Sequence, residues 1–209
     1  MKMKKKKVLI AISLVIALTI GVLAILLRED RNYIVSSEKE MIFTEKPTES
    51  CHASTVLPLD NGTVVTAWFG GTNEKNDDVN IYTSVRNCDG QWSTPVMVTA
   101  DLSTAHWNPV LFVREDGNVI LYFKVGKEIW QWKTYYSIST DGKSWSEPEE
   151  LVPGDEGNGR GPVKNKPITL ANGTVLAGAS DENGDIWRTE KLSLNNGGKI
   201  YEFTNQRKS

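Results

Sequence analysis

Three short hairpin patterns recur along the chain at a nearly constant spacing. Each one joins two runs of mostly apolar residues through Asn-Gly or Asp-Gly, dipeptides that favour the tight turns of β-hairpins. The glycines of these turns are Gly62, Gly117 and Gly173, so successive turns lie 55 and 56 residues apart. A fixed period of this length is typical of folds assembled from repeated units, and it predicts that each period forms the same small element.

A second pattern follows the hairpin in the first two periods. Residues 79–85 have the composition of a strand and lead through a glycine turn to Trp92, and residues 134–139 lead in the same way to Trp145. Each period therefore holds four short strands, which is the unit of a β-propeller blade. We predict an all-β fold class for residues 51–209, with about three blades.

The N-terminus has the composition of a membrane anchor. Residues 1–7 are rich in lysine, and residues 8–27 are uncharged and long enough, at about 1.5 Å per residue, to cross a bilayer core of about 30 Å. We predict a transmembrane signal-anchor at residues 8–27, a cytoplasmic tail before it and the rest of the chain outside the cytoplasm. A cleaved signal peptide is the alternative. Residues 28–50 are predicted to be a linker that ends in a first edge strand near residues 40–44.

The charge of the chain excludes one class of partner. Its 209 residues carry a net charge of −2, so no overall field attracts nucleic acid. No cofactor and no resident metal are predicted. The length is that of one domain, which here would be the exported repeat region.

One turn resembles a known motif. Residues 139–145, Ser-Thr-Asp-Gly-Lys-Ser-Trp, resemble the Asp-box of sialidase and BNR-repeat propellers. Asp141 is expected to cap this turn and Trp145 to pack between strands, and Asp89 is expected to act likewise in the first period.

A wider set of segments resembles the bacterial and plant sialidase-like domain with BNR repeats. The resemblance covers residues 38–201 and is carried by residues 51–55, 68–72, 106–110 and 161–168. It implies a six-bladed sialidase-type propeller, of which about half is present. We interpret the chain as C-terminally truncated, and a half-built ring would leave open sheet edges available for pairing.

The resemblance implies an exo-acting glycosidase working on acidic glycans. Sialidases hold the substrate carboxylate with three arginines, and where the first is expected this sequence has His52-Ala53-Ser54-Thr55. Their acid/base Asp lies in the loop after the second strand, where this sequence has Asp77 and Asp78. Their Tyr nucleophile and the other two arginines come from later blades. The missing arginine puts the sialidase reaction in doubt, although it leaves the fold intact.

The candidate catalytic residues are His52, His106, Asp78 and Glu182. Both histidines stand near the head of a first strand, so we expect them to converge on the propeller axis, and an ordinary histidine pKa of about 6.5 suits acid–base chemistry. Asp78 would be the acid/base, and Glu182 is a weaker candidate. The alternative for the histidines is a structural role at the strand starts, and for Asp78 a solvated loop.

The candidate substrate-binding residues are Lys164, Lys166, Trp107 and Asp77. The two lysines precede the third hairpin and would bind a carboxylate or sulfate on a sugar. Trp107 would stack on a sugar ring, although burial in the core is the commoner fate of a strand tryptophan.

Four functions stay open from the sequence. The first is a sialidase-type exo-glycosidase, and the second is a His-based lyase or hydrolase acting on another uronic-acid glycan. The third is a non-catalytic carbohydrate-binding propeller, and the fourth is an inactive fragment. Fold alone does not choose among them.

Overall fold

The computed structural model describes most of the repeat region and a small part of the N-terminus. The described residues are 16–19, 37–99, 102–155, 160–183, 186–194 and 200–201, with side chains as far as residue 179. The chain divides into two units, residues 1–40 and residues 41–209.

The N-terminal unit is described only at residues 16–19, which are helical, and at residues 37–40. In these parts of the chain and in the repeat region, no helix is both long and apolar enough to cross a membrane. The predicted span at residues 8–27 lies outside the described residues except for residues 16–19.

The second unit is all-β and contains three four-stranded antiparallel sheets, one for each sequence period. Sheet 1 consists of β1 (Ser50–Pro58), β2 (Val64–Gly71), β3 (Asn80–Arg86) and β4 (Val96–Met97). Sheet 2 consists of β5 (His106–Val113), β6 (Val119–Val125), β7 (Lys133–Ser139) and β8 (Glu149–Glu150). Sheet 3 consists of β9 (Ile168–Thr169), β10 (Val175–Asn183), β11 (Ile186–Leu194) and β12 (Ile200–Tyr201). In each sheet the strands follow chain order, which confirms the predicted four-stranded repeat.

The first strands of sheets 1 and 2 share a bulge at the same repeat position. The pairing of β1 with β2 shifts register between His52 and Thr55, and the pairing of β5 with β6 shifts between Trp107 and Val110. Inside the bulges Ala53 and Asn108 both have positive φ angles. A bulge redirects the residues before it, so the head of each first strand faces differently from its body.

The hydrophobic core lies between the faces of neighbouring sheets. Val65 and Ile81 of sheet 1 pack in one fully buried cluster with Leu121 and Phe123 of sheet 2. A second cluster joins sheets 2 and 3 and contains Val110, Ile120, Tyr122 and Ala177. Alternating residues of sheet 2 therefore pack against sheet 1 and against sheet 3, as expected for a sheet covered on both sides.

The turn after β7 connects sheet 2 to sheet 1. Asp141 Oδ1 accepts hydrogen bonds from the backbone N–H groups of Lys143 and Ser144, both at 2.8 Å. Beyond this turn, Trp145 Nε1 donates to Thr83 Oγ1 of β3 at 3.1 Å. The predicted capping role of Asp141 and the packing role of Trp145 are both confirmed.

The matching turn of sheet 1 differs from the prediction. Asn87 Oδ1 accepts a hydrogen bond from the N–H of Gln91 at 2.8 Å, while Asp89 is exposed. The prediction that Asp89 caps this turn is wrong, because an asparagine two residues earlier already supplies the oxygen.

The predicted edge strand near residues 40–44 is not formed. Residues 41–49 carry no strand, and the Phe43 ring lies 5.5 Å from the ring of Trp68, on sheet 1. Thr48 Oγ1 donates to the carbonyl of Ser50 at the start of β1. The segment contributes an aromatic side chain to cover the sheet, and this contact replaces strand pairing.

Candidate functional site

One edge of sheets 1 and 2 holds five of the candidate residues: His52, Asp77, Asp78, His106 and Trp107. In antiparallel pairs the start of β1 lies beside the end of β2, and the start of β5 beside the end of β6. We call this edge the rim, and it comprises residues 50–52, 72–79, 105–107 and 126–132. Its segments contact one another: the His106 N–H donates to the Val79 carbonyl at 3.2 Å, and Lys127 Nζ lies 3.8 Å from Asp77 Oδ2.

His106 is a buried residue that holds one of the rim loops. Its side chain is fully buried, its Nδ1 lies 2.6 Å from the Val79 carbonyl oxygen, and its ring centroid lies 5.9 Å from that of Phe123. Because a carbonyl only accepts, Nδ1 carries the proton. Burial lowers the pKa of His106, and the hydrogen bond to Val79 opposes this only partly. The arrangement suits a neutral anchoring imidazole.

His52, by contrast, is exposed and begins a row of aromatic rings. Its ring stacks on Phe69 at a centroid distance of 5.7 Å, and the Phe69 and Trp107 rings pack in a T-shaped arrangement at 5.7 Å. The Trp107 ring lies 5.5 Å from Trp132, and its Nε1 donates to the Gly126 carbonyl at 2.7 Å. Trp107 is buried beneath the rim, so its face is already covered by protein.

The two histidines do not occupy equivalent positions in their sheets. His52 pairs with Phe69 and Trp107 pairs with Lys124, so these two first-strand residues share one repeat position. His106 pairs with Val125 and therefore occupies the position before it. The difference in exposure belongs to the strand start as a whole, because Cys51 and His52 of β1 are both exposed whereas His106 and Trp107 of β5 are both buried.

The two aspartates lie on the exposed loop between β2 and β3. Asp78 accepts hydrogen bonds from the backbone N–H and the hydroxyl of Thr72, at 2.9 and 3.0 Å, through its two carboxylate oxygens. Asp77 faces Lys127 across the rim. Both residues are exposed to solvent.

The remaining candidates, the two lysines and Glu182, belong to the third repeat period. Lys166 Nζ donates to Thr55 Oγ1 at 3.1 Å and to the Leu111 carbonyl at 2.9 Å, so it contacts the first strands of both other sheets. Lys166 is exposed as a whole residue, and partial desolvation of its ammonium group lowers its pKa. Lys164 is exposed. Glu182 lies near the end of β10, and its side chain lies outside the described residues.

One buried lysine was missed by the sequence analysis. Lys124 Nζ donates to Thr134 Oγ1 at 2.7 Å and to the Gly161 carbonyl at 3.3 Å, with the side chain almost fully buried. The signal was present, because a single lysine stands in the otherwise apolar run of β6. Its contacts fasten the segment that leads to Lys164 onto sheet 2.

Metal ligands do not cluster in the part of the chain that the structure describes. Among those residues no three His, Cys, Asp or Glu side chains are grouped closely enough to hold a metal ion. The rim therefore offers carboxylates, an exposed imidazole and aromatic rings as its chemical groups.

Comparison with known proteins identifies the fold. The profile of the BNR repeat-like domain matches residues 62–205. A Dyadobacter fermentans protein of unknown function is similar in structure, with a TM-score of 0.58 and 16% identity, over 74% of this chain and 54% of that one. The NanB sialidase of Streptococcus pneumoniae gives a TM-score of 0.60 and 11% identity, over 80% of this chain and 46% of that one.

A third similar structure is an N-acetylgalactosamine deacetylase from F. plautii in complex with blood group B trisaccharide. It gives a TM-score of 0.55 and 12% identity, over 78% of this chain and 54% of that one. No curated protein sequence matches the chain. The chain thus spans about half the length of these solved structures, and at such identities they show the fold alone. By the family match, which covers more than half of its residues, this chain belongs to the BNR repeat-like domain family and has a sialidase-like fold.

Proposed function

We propose that this protein is an exo-acting glycosidase of sialidase type that works on acidic glycans outside the cytoplasm. The observation that carries the proposal is the rim, the edge of sheet 1 at which the exposed side chains of His52, Asp77 and Asp78 all occur on a BNR-repeat scaffold. The similar solved structures include a sialidase and a deacetylase of an amino sugar, which supports a carbohydrate as the ligand.

Asp78 is the acid/base in this proposal. It stands on an exposed loop, and Thr72 orients its carboxylate through two hydrogen bonds. His106 fixes the other end of that loop through Val79, so the carboxylate is presented in one position. Preorganised placement of a proton-transfer group is what general acid–base catalysis requires.

The wider architecture in the proposal is a six-bladed propeller on a membrane anchor. The three sheets would supply about half of the ring, and further sheets of the same kind would complete it. Support comes from the coverage of the solved relatives, of which this chain spans about half. The anchor would be residues 8–27, with the sheets on the outer side of the membrane.

A non-catalytic carbohydrate-binding propeller is the second candidate. It is favoured by the position of the first sialidase arginine, which His52 and its neighbours occupy here, and by the engagement of both Asp78 oxygens with Thr72. The buried, neutral state of His106 counts against a mechanism that needs two solvent-accessible histidines.

Turnover of fluorogenic glycosides by the full chain tests the proposal. We expect hydrolysis of 4-methylumbelliferyl N-acetylneuraminide or of the matching glucuronide, with a loss of about 10²-fold or more in Asp78→Asn. Glu74→Gln, on the same exposed loop, is the matched control and should keep full activity. Glycan-array binding without turnover would establish the second candidate, and neither binding nor turnover would overturn both.

A further inference from the structure

An exposed tryptophan stands on the rim beside the candidate site. Trp130 is 57% exposed and its neighbour Ile129 is 45% exposed, within a one-turn 3₁₀ helix at Ile129–Gln131. Among the tryptophans whose side chains are described, Trp130 is the only one among the exposed large apolar residues. The stacking residue expected from the sequence, Trp107, is buried, whereas Trp130 is exposed.

The loop that carries Trp130 is held in one conformation. Gln131 N–H donates to the Glu128 carbonyl at 2.9 Å, and Trp132 N–H donates to the Ile129 carbonyl at 3.1 Å. At its start Gly126 has a φ of 147°, and a Cβ placed there would lie 2.9 Å from the Gln131 carbonyl oxygen. The chain therefore closes tightly on itself, and a side chain at this glycine would force it open.

Buried aromatic contacts fasten the same loop to sheet 2. Trp132, two residues after Trp130, packs on the Trp107 ring at 5.5 Å, and Trp107 Nε1 bonds the Gly126 carbonyl. An exposed indole on a fixed loop loses little conformational entropy when a ligand covers it, which favours binding.

A charged pair lies on the same rim as this apolar surface. Lys127, three residues before Trp130, lies 3.8 Å from the Asp77 carboxylate, and both side chains are more than half exposed. On its other side the 3₁₀ helix lies against β10 (Val175–Asn183). An exposed apolar face on the same rim as a charged pair matches a pyranose ring, which has one face of C–H bonds and an equator of hydroxyl groups.

We propose that Trp130, with Ile129, forms a stacking surface for a pyranose ring of the bound glycan, next to the sugar that the rim carboxylates contact. The inference rests on the proposed function, because it takes the rim as the glycan site. The indole face packs on the C–H face of the sugar, while Lys127 and Asp77 contact its hydroxyl groups. The surface selects oligosaccharides over the free terminal sugar.

Calorimetric binding to the full chain tests this surface. The probes are 3′-sialyllactose and trigalacturonic acid, each compared with its terminal monosaccharide. Trp130→Ala should weaken oligosaccharide binding roughly tenfold, about 1.4 kcal/mol, and leave monosaccharide binding unchanged. Trp130→Phe keeps an aromatic face and should bind within about threefold of the unmodified chain. Met97→Ala removes a similarly exposed apolar side chain from β4 and should have no effect.

The outcomes separate this inference from the proposed function. Unchanged oligosaccharide binding in Trp130→Ala would overturn the stacking surface and leave the proposed function intact. An equal loss for oligosaccharide and monosaccharide would also overturn it, since the indole would then act on the terminal sugar. If the unmodified chain binds none of these probes and hydrolyses neither fluorogenic glycoside, both proposals fall.

Discussion

At the scale of single residues, His106 makes stability depend on pH. Burial lowers its pKa in the folded chain, whereas the unfolded chain has an ordinary histidine pKa near 6.5. As pH falls below about 6.5, the unfolded chain therefore binds a proton that the folded chain does not, and stability decreases. We expect His106→Gln, whose amide can still donate to Val79, to reduce this acid loss. Urea unfolding of the full chain between pH 5 and 8 measures it.

The matched control for this prediction is His52→Gln. Because His52 is exposed, its replacement should change the free energy of unfolding by less than about 0.5 kcal/mol. If His106→Gln keeps the full acid loss, the buried imidazole is not the group responsible.

Lys166 illustrates a second role for a residue expected to bind substrate. Its ammonium group contacts Thr55 and Leu111, and thus the first strands of sheets 1 and 2. We expect Lys166→Met to lower the free energy of unfolding by about 1–2 kcal/mol, because the Leu111 carbonyl loses its lysine donor. Lys164→Met, at an exposed neighbouring lysine, should change it by less than about 0.5 kcal/mol. Equal losses in urea unfolding would contradict the bridging role.

The sequence predicted that both histidines lie at strand starts, but it did not predict which way each side chain points. Aligning the strand heads puts the two histidines together, but His52 and Trp107 are separated by the same 55 residues as the first two turn glycines. That slip of one residue moves a side chain to the other face of the strand. The apolar run of β6 indicated that Lys124 is buried, but no sequence pattern identified its acceptor at Gly161, which lies 37 residues away.

At the scale of elements, the two glycine turns after β3 and β7 are capped by different residues. Asp141 accepts two backbone N–H groups, from Ser144 and Lys143, and these bonds lower the pKa of Asp141. We expect Asp141→Ala to cost about 1–2 kcal/mol of stability, the range for losing a side-chain cap. Asp89→Ala should cost almost nothing, since Asn87 caps that turn. Thermal unfolding of both variants measures the difference.

An Asn87→Ala variant completes this comparison. It should lose stability in the same range as Asp141→Ala, because it removes the oxygen bonded to the Gln91 N–H. A large loss in Asp89→Ala with none in Asn87→Ala would show that the first turn is built like the second.

At the scale of the whole molecule, the period predicted the number of sheets but not how they join. Spacing of the turn glycines fixes one four-stranded unit per repeat, because each unit needs the same length of chain. The contact between Trp145 and Thr83 spans 62 residues and depends on which faces meet. Phe43 likewise packs on Trp68 where a first edge strand was expected, a side-chain contact that the repeat period does not predict.

The junction between sheets 1 and 2 gives the last prediction, which concerns Gly142. This glycine has a φ of +72°, and a Cβ there would lie 2.6 Å from Val65 Cγ2 and 3.2 Å from Val85 Cγ2. Gly142→Ala should therefore push the turn of sheet 2 away from two strands of sheet 1 and cost about 2–4 kcal/mol. Gly117 has a similar φ of +82° with nothing within 4 Å, so Gly117→Ala isolates the backbone strain, about 1 kcal/mol. The difference between the two losses in urea unfolding measures the packing of sheet 2 on sheet 1. Equal losses would mean that this turn does not hold the two sheets together.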